Sequence, residues 1–92
     1  MAKATPVLRF KNVVSGGVVE MVVWRVPAPV PPSQHAFMYR LVFVRAGQRM
    51  VGYDNERGKG DHRHVVGLEA SYNFLDVETR VRDFLADVEA NR

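Results

Sequence analysis

The segment Tyr53–His64, Y-D-N-E-R-G-K-G-D-H-R-H, sets the strongest limit on how this chain folds. It holds Asp54, Glu56, Arg57, Lys59, Asp61, His62, Arg63 and His64, and Tyr53 is its one large hydrophobe. A buried charge needs a partner, so this segment cannot build a core of its own. It lies between apolar runs, as a polar loop between ordered elements, the usual place for recognition or chemistry. Gly58 and Gly60 permit positive φ or the close approach of a ligand. On an extended backbone His62 and His64 point to one face, and Asp61 and Arg63 to the other. A segment this rich in Asp, Asn, Gly and Lys also reads simply as a solvated turn.

The flanking sequence alternates as strands do. In Val7–Val14, Leu8 and Phe10 alternate with Arg9 and Lys11, the period of a half-buried strand. Ser15-Gly16-Gly17 supplies a hairpin turn. Val18–Val26 is rich in β-branched residues and apolar on both faces, which predicts a central strand. Pro27–Pro32, P-A-P-V-P-P, excludes a helix and predicts a stiff crossing loop. His35 follows it as a lone loop histidine, expected at the surface. Phe37–Arg45 predicts a third strand, Ala46–Gln48 a tight turn and Arg49–Tyr53 a fourth strand. His62–Val66 predicts a short fifth strand, and Gly67–Ser71 a loop.

The closing element is a helix from about Asp76 to Ala90. Val77, Val81, Phe84, Leu85 and Val88 form one apolar stripe, and Asp76 is placed as N-cap. The expected fold class is α+β: one domain over residues 1–92, a small antiparallel sheet of four to five strands, and one C-terminal helix packed on one face. A helix is about 10 Å wide, whereas four strands span roughly 19 Å. One helix therefore leaves apolar sheet surface over, and another chain, a second copy or a partner, is expected to cover it.

Composition narrows the class further. With no cysteine, disulfides and thiolate metal sites are excluded. No run of 18 apolar residues is present, and the opening M-A-K-A-T-P lacks an apolar signal core. The expectation is a soluble cytoplasmic protein with no membrane role. Net charge is +3, but residues 1–52 carry +6 and residues 53–92 carry −3. A basic first half attracts nucleic acid or an acidic partner.

The same polar segment carries a family resemblance. Y-D-N-E-R-G-K-G-D-H-R-H resembles the signature of the TumE family of bacterial toxin–antitoxin proteins. Val19–His35, V-E-M-V-V-W-R-V-P-A-P-V-P-P-S-Q-H, is similar to a second block of that family. Tyr72-x-Phe74 and D-F-L-A-D-V, Asp83–Val88, are similar to its closing helix. The resemblance covers roughly residues 18–92, with Ser71 standing where the family pattern has a proline. It implies the toxin of a two-gene module, paired with a cognate antitoxin.

Three chemistries suit the segment. His62 and His64 with Asp54 and Asp61 offer ligands that zinc or manganese accepts, but Arg57, Lys59 and Arg63 oppose a cation; no cofactor is expected. Metal-independent RNA cleavage needs a base for the 2′-OH and an acid for the leaving 5′-oxygen, and His62 and His64 can serve as both. Arg57, Lys59 and Arg63 would hold the phosphate, and Tyr53 or Tyr72 would stack on a base. The third reading is binding of a protein or nucleic acid without chemistry. No nucleophile motif and no phosphate-cradling glycine loop is present.

Overall fold

The computed structural model describes residues 4–14, 16–29, 31–56, 60–72 and 74–91, with Glu56 described through its backbone alone. The strands are β1 (Thr5–Val14), β2 (Gly17–Arg25), β3 (Phe37–Arg45), β4 (Gln48–Glu56), β5 (Gly60–Val65) and β6 (Leu68–Ser71). They form one antiparallel sheet in chain order, β1-β2-β3-β4-β5-β6, closed by the helix α1 (Val77–Asn91). The α+β class and the packed C-terminal helix are as expected from the sequence. The sheet has six strands where four to five were expected.

The sixth strand explains the difference. Leu68–Ser71, read as a loop, pairs with β5 through Val65↔Leu68, His64↔Glu69, Arg63↔Ala70 and His62↔Ser71. All its residues are exposed, so no buried alternation marks it. Its main chain completes the β5 ladder, and the two-residue turn Val66-Gly67, at φ 45° and 84°, returns the chain at once. Positive φ at both turn residues suits the right-handed twist of the flanking strands. Ala46-Gly47, at φ 52° and 73°, does the same between β3 and β4.

The polar segment is also more ordered than a loop. Tyr53–Glu56 is the end of β4, and Gly60–His64 lies in β5. Tyr53↔Arg63, Asp54↔His62, Asn55↔Asp61 and Glu56↔Gly60 pair across the hairpin. Arg57, Gly58 and Lys59 lie outside the described residues.

Register assigns every strand residue to a side, because directly opposed residues share a face. Val19, Met21, Val23, Tyr39, Leu41, Phe43, Val51 and Tyr53 face α1 and are buried with Phe84 and Val88. The helix lies against β3 and β4. Asp76 caps it, accepting the Thr79 N–H at 2.6 Å. Among the described residues, no helix lies on the opposite side. Val22, Trp24, Met38 and Val44 lie there, and Met38 is 42 % exposed. This is the leftover apolar surface that one helix cannot cover.

Candidate functional site

Chemistry-bearing side chains collect on both sides of β5. On the helix side, Asp61 is a hub. Its Oδ1 accepts from His35 Nε2 at 2.7 Å and from the Tyr39 hydroxyl at 2.5 Å, and its Oδ2 accepts from Ser33 Oγ at 3.0 Å. His35 Nδ1 accepts the Phe37 N–H at 3.2 Å, which leaves the ring proton on Nε2, facing Asp61. Buried Asn55 ties the same elements together. It accepts the Tyr39 N–H at 2.9 Å and donates to the Phe37 carbonyl at 2.7 Å and to Ser33 Oγ at 3.3 Å. The stiff proline loop thereby delivers Ser33 and His35 to the sheet. His35 was expected at the surface; its side chain is 15 % exposed, with Phe74 stacked on its ring at 3.8 Å.

Arg80 lies behind this hub, 1 % exposed. None of its three guanidinium nitrogens has a hydrogen-bond partner among the described residues, and Asp61 Oδ1 stands 3.9 Å from Nη2. Four rings surround it: Tyr72 at 3.8 Å, Tyr39 at 4.6 Å, Tyr53 at 5.1 Å and Phe74 at 5.4 Å. Ring faces attract a cation, more strongly when water is excluded. Burial pulls the guanidinium below its usual pKa. Burial pushes the Asp61 carboxyl up, but hydrogen bonds from Tyr39, His35 and Ser33 outweigh it and hold the group below the usual carboxylate range. Burial and the bond to Asp61 raise the Tyr39 phenol far above its ordinary value.

Arg63 also faces the helix. Its Nε and Nη2 donate to the two Asp87 oxygens at 2.7 Å each, and Tyr53 donates to Asp87 at 2.5 Å. Burial pushes Asp87 up, and the Arg63 and Tyr53 bonds bring it below its ordinary value. This bidentate pair clamps α1 to β5.

On the open side, two cross-strand rows converge on the β5 histidines. One runs Arg9–Val22–Arg40–Asp54–His62–Ser71, the other Lys11–Glu20–Val42–Gly52–His64–Glu69. His62 Nε2 is 2.7 Å from Asp54 Oδ1, and its Nδ1 is 3.0 Å from the Gly60 carbonyl. Both ring nitrogens therefore face oxygen acceptors. His64 Nδ1 stands 3.9 Å from Glu69 and has no hydrogen-bond partner among the described residues. Gly52, opposite His64, leaves room for the Arg49 side chain, which passes 3.1 Å from where a Cβ would sit. A hollow of about 290 Å³ opens between His62, Glu69, Ala70 and Ser71.

The structure thus divides the set read from sequence. His62 and His64 share the open side as expected. Tyr53, Arg63 and Tyr72 lie on the other side, against the helix, and Arg57 and Lys59 are outside the described residues. Ser33, His35, Tyr39, Asn55 and Arg80 were not singled out. One sequence signal pointed to Arg80: with Val77, Phe84 and Val88 it falls at helical spacing on the buried stripe. Among the described residues, no group of three or more His, Cys, Asp or Glu is disposed to hold a metal ion.

A small antiparallel sheet backed by one helix, with a charged hairpin as its most distinctive sequence, defines a class of small α+β domains. The chain belongs to the TumE toxin family: the family model described as Toxin TumE matches residues 2–92. Membership of a toxin family implies an antitoxin partner. No curated protein and no solved structure matches the chain. No helix among the described residues is long and apolar enough to cross a membrane.

Proposed function

We propose that this chain is the toxin of a toxin–antitoxin module and that it cleaves cytoplasmic RNA, without a metal, on the open side of its sheet. The observation that carries this reading is the pair of cross-strand rows passing through His62 and His64, which align them with Arg9, Arg40 and Lys11. Arg49, folded over Gly52, adds a cation beside His64. Cations along one face hold a phosphate backbone, and the half-buried Trp24 offers a stacking ring.

In this reading His64 is the base. With Nδ1 turned towards Glu69, its Nε2 takes the 2′-OH proton. The 2′-oxygen attacks phosphorus, a 2′,3′-cyclic phosphate forms, and the bond to the 5′-oxygen breaks. His62 donates the proton that the leaving 5′-oxygen needs. The two residues are about 6.6 Å apart along the strand, a span that brackets one phosphate. Arg40 and Arg49 stabilise the charge that develops on the phosphoryl oxygens.

Expression without the antitoxin tests this. Wild-type protein should arrest growth and fragment RNA, and His62→Ala and His64→Ala should be folded and harmless. Arrest that survives both substitutions removes the histidines from the mechanism.

A second reading is binding without chemistry, and one observation favours it: both His62 nitrogens are already engaged, by Asp54 and by Gly60. Under this reading intact RNA accompanies growth arrest. The open side around Val22, Trp24, Met38 and Val44 is covered by the antitoxin in the inactive complex, or by a second copy in the binding reading. Sedimentation of the isolated chain and of its complex with antitoxin distinguishes these occupants.

A further inference from the structure

We propose that the cleft between the proline loop and the segment leading into α1 binds an unpaired, amino-bearing nucleobase. This rests on the reading of RNA as target and adds a base-recognition site on the other side of β5. The cleft measures about 470 Å³, and Ser33, Gln34, His35, Asp61, Tyr72 and Phe74 line it. That volume lies within the range of small-ligand sites and suits a single nucleotide.

Three features of the lining point to a base. The first is a pair of rings that are already immobilised. Arg80 packs at 3.8 Å from the Tyr72 ring centre, and His35 stacks at 3.8 Å on Phe74. A buried guanidinium with no hydrogen bond is costly, and each unsatisfied buried group calls for an explanation. Here the Arg80 charge is spent on ring faces, and its effect is to fix Tyr72 and Phe74 in place. A stacking platform fixed in advance loses little entropy when a base arrives.

The second feature is Asp61. Its Oδ1 already has two short donors, whereas its Oδ2 has Ser33 Oγ alone among the described residues. A carboxylate oxygen takes more than one donor. The free capacity of Oδ2 at the cleft wall selects a ligand that donates N–H. The exocyclic amino groups of guanine, cytosine and adenine do so, and carboxylate side chains accept from such groups. Uracil has a single N–H flanked by two carbonyls, which Asp61 disfavours. Gln34, exposed at the rim, supplies both a donor and an acceptor.

The third feature is position. The Tyr72 N–H donates to the Asp61 carbonyl at 3.1 Å, and Ser71 pairs with His62. The cleft and the His62 hollow therefore meet at the same end of the β5–β6 ladder, on opposite sides. β6 is a four-residue edge strand, exposed throughout. A single strand passing round this edge presents a phosphate to one side and a base to the other.

The test is direct binding, separate from cleavage. The intact protein is titrated with GMP, CMP, AMP and UMP, and with inorganic phosphate as control, and NMR shifts are followed at Gln34, His35, Tyr72 and Trp24. GMP, CMP and AMP should shift the first three residues whether or not open-side Trp24 responds, with UMP weaker and phosphate silent in the cleft. Leu75 also lines the cleft from an exposed position, and Leu75→Trp, which fills it, and Gln34→Ala should each weaken nucleotide binding by at least about fivefold. Both variants should keep the wild-type spectrum elsewhere. Silence at millimolar nucleotide, equal response to UMP, or shifts confined to the open side would each overturn the proposal. Cleft shifts in a protein that leaves cellular RNA intact uphold the nucleobase site and discard the nuclease. RNA cleavage unchanged by Leu75→Trp, with no nucleotide shifts, discards the site and keeps the nuclease.

Discussion

Asp61 and His62 are neighbours in β5, yet their surroundings differ almost completely. Asp61 faces the helix, where Ser33, His35 and Tyr39 donate to it and Arg80 stands behind it. His62 faces the open side, where Asp54 and Gly60 engage it across one hairpin. The Asp61 hub joins the proline loop, β3, β5 and α1. The His62 contacts join residues that the β4–β5 ladder already holds together. The helix side of the hairpin therefore carries the contacts that tie distant elements together, and the open side adds little to them. Charge in the sequence does not reveal this division, because both sides are equally polar.

The largest expected effect tests the helix side at its apolar centre. Phe84 is fully buried, edge-on to Tyr53 at 5.9 Å. Phe84→Ala should cost about 3–5 kcal/mol in denaturant unfolding. A loss below about 1 kcal/mol would remove α1 from the core and dissolve the distinction between the two sides.

Next is the hub against its open-side neighbour. Tyr39→Phe removes one donor from Asp61 and should cost about 1–3 kcal/mol. His62→Ala breaks a pair inside an existing ladder and should cost less than that, about 1 kcal/mol or below. Equal losses would mean that both sides carry the fold alike.

Acid should act through the helix side. Asp61 and Asp87 are both held below the ordinary value of 3.8. A carboxyl with a depressed folded pKa adds stability that is fully present above its unfolded pKa and lost as pH falls through the folded one. Denaturant midpoints should therefore hold from neutral pH to about pH 5 and fall steeply below pH 4. Asp87→Asn should flatten that fall. An acid slope equally steep in Asp87→Asn would place the sensitive groups elsewhere.

The smallest expected effect concerns Arg80. Arg80→Met keeps much of the volume inside the ring cage and removes the guanidinium charge. Asp61 keeps its Tyr39, His35 and Ser33 donors when the guanidinium goes, so the change should lie within about 1 kcal/mol or favour the variant. Nucleotide binding in the cleft should nevertheless weaken, because Tyr72 loses the cation that fixes it. Destabilisation of several kcal/mol would make Arg80 a structural partner of Asp61 first.

Much of this architecture is legible in the chain. Phe37–Arg45 alternates Tyr39, Leu41 and Phe43 with Met38, Arg40 and Val42, and that period matches β3 as observed. The Val77–Val88 stripe gives the helix, and Asp76 its cap. The H-x-H spacing puts both histidines on one side, because side chains alternate along a strand whatever surrounds it. Leu68–Ser71 escaped because an exposed edge strand is held by the partner's main chain and needs no pattern of its own. Arg57–Lys59 was expected to supply cations to the histidines and falls outside the described residues. Arg63 has both Asp87 oxygens on its guanidinium, a partner 24 residues away that spacing along the segment does not reveal.

The sequence by itself determined the periodicities: strands by alternation, the helix by its stripe, the crossing loop by its prolines, and the family through the Tyr53–His64 segment. These are local properties, set by the geometry of neighbouring residues. Only the tertiary structure decided which polar groups meet. Ser33, His35, Tyr39, Asp61 and Arg80 come from a loop, two strands and a helix, and their meeting depends on register and helix placement. A buried carboxylate needs donors from wherever the fold can bring them, and that choice is made in space.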